Sequence, residues 1–243
     1  MDFQGRLDDQ YVAGLWKGDL HLSLLWYIQG EVSCPSEYRA PSWSWASVDG
    51  AVAYPGFGPV PDRALDSNIA VFREAVAIPV VAGNPFGSIK GGYLRVASLI
   101  RKVVIVAVPG PPTNWRWRFS TQRPKAGEQG ATTTTDLRLI PDPAHGFAII
   151  HSSVPTFDWS RELFFMYVVE MTSSKTDVRV SMGLVLSPVA GEDGGVYEKL
   201  GAFLLKGRKG SLSNLIFKDE AGVLPSHCFE SRDEEGRYVI RII

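Results

Sequence analysis

Only two cysteines, Cys34 and Cys228, occur in the 243 residues of this chain. A disulfide-stapled scaffold is therefore excluded, and two reduced thiols in a cytoplasmic protein are expected rather than a lone bridge. There is no Asn-x-Ser/Thr sequon, and the N-terminus lacks the basic-then-apolar pattern of a secretory signal. No apolar run approaches the roughly 20 residues of a membrane span. The longest, residues 103–108 and 163–169, have the length of strands. Charge of either sign is also in short supply as a net quantity. The 25 Lys and Arg residues nearly cancel the 26 Asp and Glu, leaving a formal −1. Such a balance gives no general attraction to nucleic acid or anionic lipid.

Chemical signatures are equally sparse. No P-loop, no Gly-x-Ser-x-Gly elbow and no Gly-x-Gly-x-x-Gly turn is present, since Gly56-Phe57-Gly58 lacks the third glycine. The four histidines, His21, His145, His151 and His227, have no paired ligand spacing with the cysteines. Neither a metal nor any other cofactor is expected.

What the chain does have is apolar and aromatic side chains, at 45% and 11%, enough for a globular core at this length. Short apolar segments split by glycine, proline and polar turns predict strands near 43–48, 68–80, 92–108, 136–140, 146–152, 162–172, 180–187, 196–205, 214–218 and 237–243. With so few helices between them, the expectation is a single mainly β domain over 1–243, an antiparallel β-barrel or sandwich. Helix signals are confined to residues 1–30, where two short helices are expected. Asp8 or Asp9 would cap one through Trp16, and Asp19 a second through about Trp26. Two irregular stretches stand out: residues 54–62, dense in proline and glycine, and residues 109–135, long enough for a lid.

Three segments carry candidate chemistry. In Glu37-Tyr38-Arg39-Ala40-Pro41-Ser42-Trp43-Ser44-Trp45-Ala46-Ser47-Val48-Asp49-Gly50, the alternation of Trp43 and Trp45 with serines predicts a strand that buries both indoles. Asp49-Gly50 predicts a hairpin turn, and Arg39 can fork onto Asp49. In Asn114-Trp115-Arg116-Trp117-Arg118-Phe119 an extended backbone puts the aromatics on one side and the arginines on the other. That is either an aromatic wall over a ligand or an amphipathic strand packed on the core. His151 and Asp158 flank Pro155, ahead of the apolar residues 163–169. A histidine beside a carboxylate can move a proton near neutral pH, or it can be structural. Glu170, which ends that apolar run, reads as a solvated edge.

The run 37–50 resembles the signature that follows the effector domain in fungal heterokaryon-incompatibility (HET) domain proteins. Asp8-Asp9-Gln10-Tyr11-Val12-Ala13-Gly14-Leu15-Trp16, with Asp19-Leu20 and Leu24-Leu25-Trp26, is similar to the stretch that leads into it. Gly92-Tyr93-Leu94-Arg95-Val96, Met182-Gly183-Leu184-Val185-Leu186-Ser187-Pro188 and Tyr197-Glu198-Lys199-Leu200-Gly201-Ala202-Phe203 are similar to later strands, so the resemblance covers most of the chain. It implies the accessory module standing alone, without the effector domain, and so without that domain's cell-death output.

Two functions are expected on this footing. One is a cofactor-independent cyclase or isomerase acting on an apolar small molecule in fungal specialised metabolism, by analogy with β-barrel proteins recruited there. Its pocket would lie at one end of the barrel beneath residues 54–62 and 109–135, with His151 and Asp158 catalytic and Trp115, Trp117, Tyr54 and Phe57 on the substrate. The other is a non-enzymatic recognition or regulatory module. Neither involves nucleic acid or a membrane span, and a homodimer is among the partners expected.

Overall fold

The structure, a computed structural model, describes residues 9–33, 35–54, 63–103, 147–152, 162–173, 178–192, 194–208 and 223–243. In chain order the elements are β1 (Tyr11–Val12), β2 (Leu15–Trp16), the four-residue helix α1 (Leu20–Ser23), β3 (Tyr27–Ser33), β4 (Asp49–Ala53), β5 (Arg63–Asn68), β6 (Val71–Pro79), β7 (Ile89–Ser98) and β8 (Ile100–Val103). They continue with β9 (Phe147–Ser152), β10 (Leu163–Ser173), β11 (Val178–Pro188), β12 (Val196–Arg208), β13 (Ser231–Arg232) and β14 (Tyr238–Ile242).

The most apolar segment becomes the central strand. Every residue of β10 from Leu163 to Val169 is buried, so both of its faces are covered. A near-continuous apolar run is the pattern of a strand buried on two sides. Phe164, Met166 and Val168 join the main core with Leu184, Leu186 and Ile240. On the opposite face Phe165 stacks on Phe203 of β12, ring centroids 4.5 Å apart at 12°. Gly183 of β11, paired with Tyr167, is required here. A Cβ at that position would overlap the Met166 carbonyl and stand 2.6 Å from Phe203.

β10, β11 and β12 form an antiparallel meander, and the sheet path runs β5-β10-β11-β12-β14-β7-β6. β11 occupies one edge of β10 throughout, so β8 (Leu163 opposite Val103) and β5 (Ser173 opposite Arg63) divide the other edge between them. β12 is shared likewise: β14 joins its start in parallel, and β9 pairs antiparallel with residues 201–206. The two smaller sheets are β1-β2 and β3-β4. The path ends at β5 and β6 and is not closed into a barrel, so among the described residues the architecture is mainly β and sandwich-like.

The strands expected at 68–80, 146–152, 162–172, 180–187, 196–205 and 237–243 correspond to β6, β9, β10, β11, β12 and β14. The described part of 92–108 corresponds to β7 with β8, its residues 104–108 lying outside the described residues; β5 was not expected as a strand. Those at 136–140 and 214–218 lie outside the described residues.

The N-terminal expectations need correcting. Residues 8–16 do not form a helix where described; they make the β1-β2 hairpin, with Ala13 at φ 45° and Gly14 at φ 93°. Two left-handed residues in a row make the two-residue turn that suits antiparallel strands. Asp9, expected as a helix cap, instead accepts the Gly18 amide at 3.0 Å across the hairpin base. The second helix is real but short, a 3-10 turn Lys17–Asp19 running into α1, with Leu20, Leu24 and Leu25 buried beneath it.

Residues 43–48 are not a strand either. Ser44 Oγ accepts the Ala46 amide at 3.1 Å and Ser47 Oγ donates to the Ser44 carbonyl at 2.7 Å, and these local bonds wind Trp45–Ser47 into a 3-10 turn. Serine side chains compete with sheet ladders in this way. The turn separates the two indoles: Trp43 is 0% exposed and Trp45 is 41% exposed. Asp49 and Gly50 open β4, opposite Ser33 and Val32 of β3, and make no hairpin turn.

Two outcomes follow. Trp43→Ala should lose about 3–5 kcal/mol, as a large core truncation does, whereas Trp45→Ala should lose only about 1 kcal/mol with its one hydrogen bond. Urea titration of both variants decides; equal losses would contradict the assignment. His21 on α1 donates from Nε2 to the Ala70 carbonyl at 2.8 Å and meets the Phe72 ring edge-on. Burial holds its pKa below the ordinary 6.5, partly offset by that bond. The unfolded chain therefore binds the proton more readily, so stability is full above about pH 6.5 and falls as pH drops through the folded pKa. Thermal melts of His21→Gln should lack this acid-sensitive component; an unchanged pH profile would contradict it.

Candidate functional site

Residues 39–45 are bonded to nearly every part of the structure around them. Ser42 Oγ donates to the Ile243 carbonyl and accepts the Lys199 amide at 2.9 Å, tying the segment to the ends of β14 and β12. The Trp26 indole donates to the Trp43 carbonyl at 2.8 Å. Ser44 Oγ donates to the Ala13 carbonyl, and Trp45 Nε1 donates to the Gly14 carbonyl at 2.9 Å. The hairpin turn is thus seated on residues 44 and 45. Gly14 is needed for closeness as well as for φ, because a Cβ there would stand 3.0 Å from Trp45 Nε1. Arg39 bonds the Val48 carbonyl at 3.0 Å and Asp49 at 2.7 Å, holding the strand that leaves the run.

The hairpin so anchored faces the β6-β7 connection, and a groove with two lobes runs between them. One lobe, of about 550 Å³, is lined by Asp9, Tyr11, Trp16, Pro79, Phe86 and Ile89, among others. The other, of about 820 Å³, is lined by Glu37, Tyr38, Arg39, Trp45, Val80 and Phe86, among others. Tyr11, Phe86 and Ile89 belong to both. The Tyr11 ring lies 4.7 Å from Phe86 and meets Trp16 edge-on at 5.3 Å. Much of this apolar surface faces water: Tyr38 is 58% exposed, Val80 56% and Phe86 69%. Partial burial also raises the Tyr38 phenol above its usual range.

Among the described residues, no histidine or cysteine lines either lobe. Asp9 is fixed by the amides of Gln10, at 2.8 Å, and Gly18. The arrangement offers aromatic faces and carboxylates around open apolar surface. Among the described residues no group of three or more His, Cys, Asp or Glu could hold a metal ion. No described helix is long and apolar enough to cross a membrane.

A polar cluster lies elsewhere, on β10 and β11. Tyr167 donates to Glu170 and lies 2.9 Å from Ser181 Oγ, while Arg179 pairs with Glu170 at 2.8 Å. Glu170 is therefore mostly buried and partnered, not the solvated edge expected of it. Lys199 is buried too, with Nζ donating to the Trp26 carbonyl at 2.9 Å and lying over the Trp26 ring. Burial holds its pKa well below the ordinary value.

Of the residues expected to form a site, Trp115, Trp117, Asp158 and Phe57 lie outside the described residues. His151 belongs to β9, opposite Ala202. Tyr54 follows β4, is 42% exposed with its phenol raised by partial burial, and lines neither lobe. The groove aromatics Tyr11, Trp16, Tyr38 and Phe86 were not foreseen as site residues. One signal was present: Asn84-Pro85-Phe86-Gly87 puts an aromatic at the tip of a proline-glycine turn, where no core can cover it.

No family model matches the chain, and no curated protein and no solved structure matches it.

The seating of the hairpin predicts unequal glycine costs. Gly14→Ala and Gly83→Ala each place a side chain at positive φ, but Gly83 has nothing within 4 Å of a new Cβ. Gly14→Ala should cost about 1 kcal/mol more, the worth of the displaced indole bond. Equal losses in urea titration would contradict the seating.

Proposed function

We propose that this chain is a non-enzymatic recognition module, related to the accessory region of HET-domain proteins, and that the two-lobed groove is its binding surface. One observation carries the reading: Tyr38, Trp45, Val80 and Phe86 stay 41–69% exposed around a groove whose walls are pinned by hydrogen bonds. Large aromatic side chains gathered in water around one groove are a feature of surfaces that a partner covers. Tyr and Trp are also the side chains that most often dominate binding energy. The resemblance of residues 37–50 points the same way, because Glu37, Tyr38, Arg39 and Trp45 of that run line the groove. We take the module to act in the cytoplasm, in keeping with the free, buried thiol of Cys228.

A second reading, the cofactor-independent cyclase or isomerase acting on an apolar substrate, is favoured by the Tyr167–Glu170–Ser181–Arg179 cluster. A phenol hydrogen-bonded to a carboxylate and backed by a guanidinium can donate a proton to an apolar substrate. In that reading His151, Asp158, Trp115, Trp117, Tyr54 and Phe57 keep the roles expected of them.

The two are separated by photocrosslinking in cells, with p-benzoylphenylalanine in place of Phe86 or of the distant Val223, which is 71% exposed. The recognition reading predicts a discrete macromolecular adduct from position 86 and none from 223. Absence of any adduct from position 86, or equal adducts from both positions, would contradict it.

A further inference from the structure

The charge of the groove says what class of partner it suits, an inference that rests on the recognition reading above. Among the described residues, three carboxylates line the two lobes, Asp9, Glu37 and Asp49, against one guanidinium, Arg39. Arg39 is already paired with Asp49 at 2.7 Å. Glu37 has no ion-pair partner among the described residues, and Asp9 is held only by backbone amides. Lys17 bonds Gln10 Oε1 at 3.5 Å and is not part of the lining. Among the described residues the lining therefore carries more negative than positive charge, in a protein whose net charge is close to zero.

The aromatic geometry adds a second, independent preference. Tyr11, Trp16 and Phe86 form a contiguous set of rings that borders the same lobe as Asp9. Ring faces attract ammonium and guanidinium groups, more strongly when a carboxylate is close and water is partly excluded. Long basic side chains also lay their methylene stems along apolar surface while the charged head stays wet. The second lobe, with Tyr38, Trp45 and Val80, has room for an aliphatic neighbour on the same strand of ligand.

We propose that the groove binds an extended basic segment of a protein partner. An Arg or Lys side chain lies across the Tyr11–Phe86 rings toward Asp9, and an adjacent aliphatic residue rests on Tyr38 and Trp45 beside Glu37. An apolar small molecule would leave Asp9 and Glu37 without a complement. A second copy of this chain would need a matching basic, apolar face.

Fluorescence anisotropy on the full chain tests this with three labelled decapeptide pools. Each pool alternates Leu, Val and Pro with one other residue type: Arg and Lys in the first, Gln in the second, Glu in the third. The expected result is saturable binding of the basic pool, about tenfold tighter than the Gln pool. That binding should weaken as salt rises from about 0.05 to 0.5 M. Phe86→Ala should abolish it, and Glu37→Gln should reduce it several-fold, with thermal midpoints unchanged. Equal binding of the basic and Gln pools, still lost in Phe86→Ala, would overturn the basic partner while keeping the docking groove. Binding of no pool by a folded chain would overturn both, as would self-association that Phe86→Ala abolishes.

Discussion

The arrangement depends on a few hydrogen bonds made by residues 42–45. The Trp43 indole is wholly buried in the main core, and its backbone carbonyl takes the indole N–H of Trp26. From that fixed point the next two residues reach outward, Ser44 to Ala13 and Trp45 to Gly14. Ser42 reaches the other way, to Ile243 and to the Lys199 amide on β12. The N-terminal hairpin is only two residues a strand, and a lone two-stranded ribbon is marginal in water. It holds its place because its turn carbonyls have defined donors on a segment that the core itself locates.

The same segment explains how a scaffold element comes to line a surface. The 3-10 turn at Trp45–Ser47 rotates the second indole away from the core while leaving its N–H engaged. One edge of the ring is bonded to the hairpin, and the rest forms part of the groove wall. Behind it, Pro41 packs on β7 at Gly92, where a Cβ would come 3.1 Å from the proline ring. The groove is consequently walled by the hairpin, the 37–50 run and the β6-β7 connection, all referred to one packed sheet. Preorganised aromatic walls of this kind lower the ordering cost of association.

The sheet was legible in the sequence and the N-terminal quarter was not, for different physical reasons. Continuous or alternating apolar runs such as residues 163–169 and 180–187 answer mainly to burial, and burial decided them. In residues 8–16 an acidic residue ahead of an apolar stretch is compatible with a helix cap and with a hairpin base. The Ala13-Gly14 turn, not the Asp9 cap, settled the choice. Trp45 misled because alternation implies a common face only if the backbone is extended, and Ser44 and Ser47 bend it. Glu170 looked like an edge because Arg179 and Ser181 become its neighbours only through the β10-β11 register, while Tyr167, three residues back on β10, reaches it across the register irregularity between Tyr167 and Val169. The groove was hidden for a similar reason. Tyr11, Tyr38 and Phe86 lie far apart in sequence, and only the seating of the hairpin brings their surfaces together.

The central claim, that residues 42–45 hold the hairpin and with it the groove, is tested most directly by native-state hydrogen exchange on Ser44→Ala. In the intact chain the Lys17 amide is bonded to the Gln10 carbonyl at 2.9 Å and the Gly18 amide to Asp9. Removing the Ser44 hydroxyl should speed exchange at both amides by about tenfold or more. The amides of β10, β11 and β12 should keep their rates. Unchanged protection at Lys17 and Gly18, or the same loss throughout the sheet, would contradict the account.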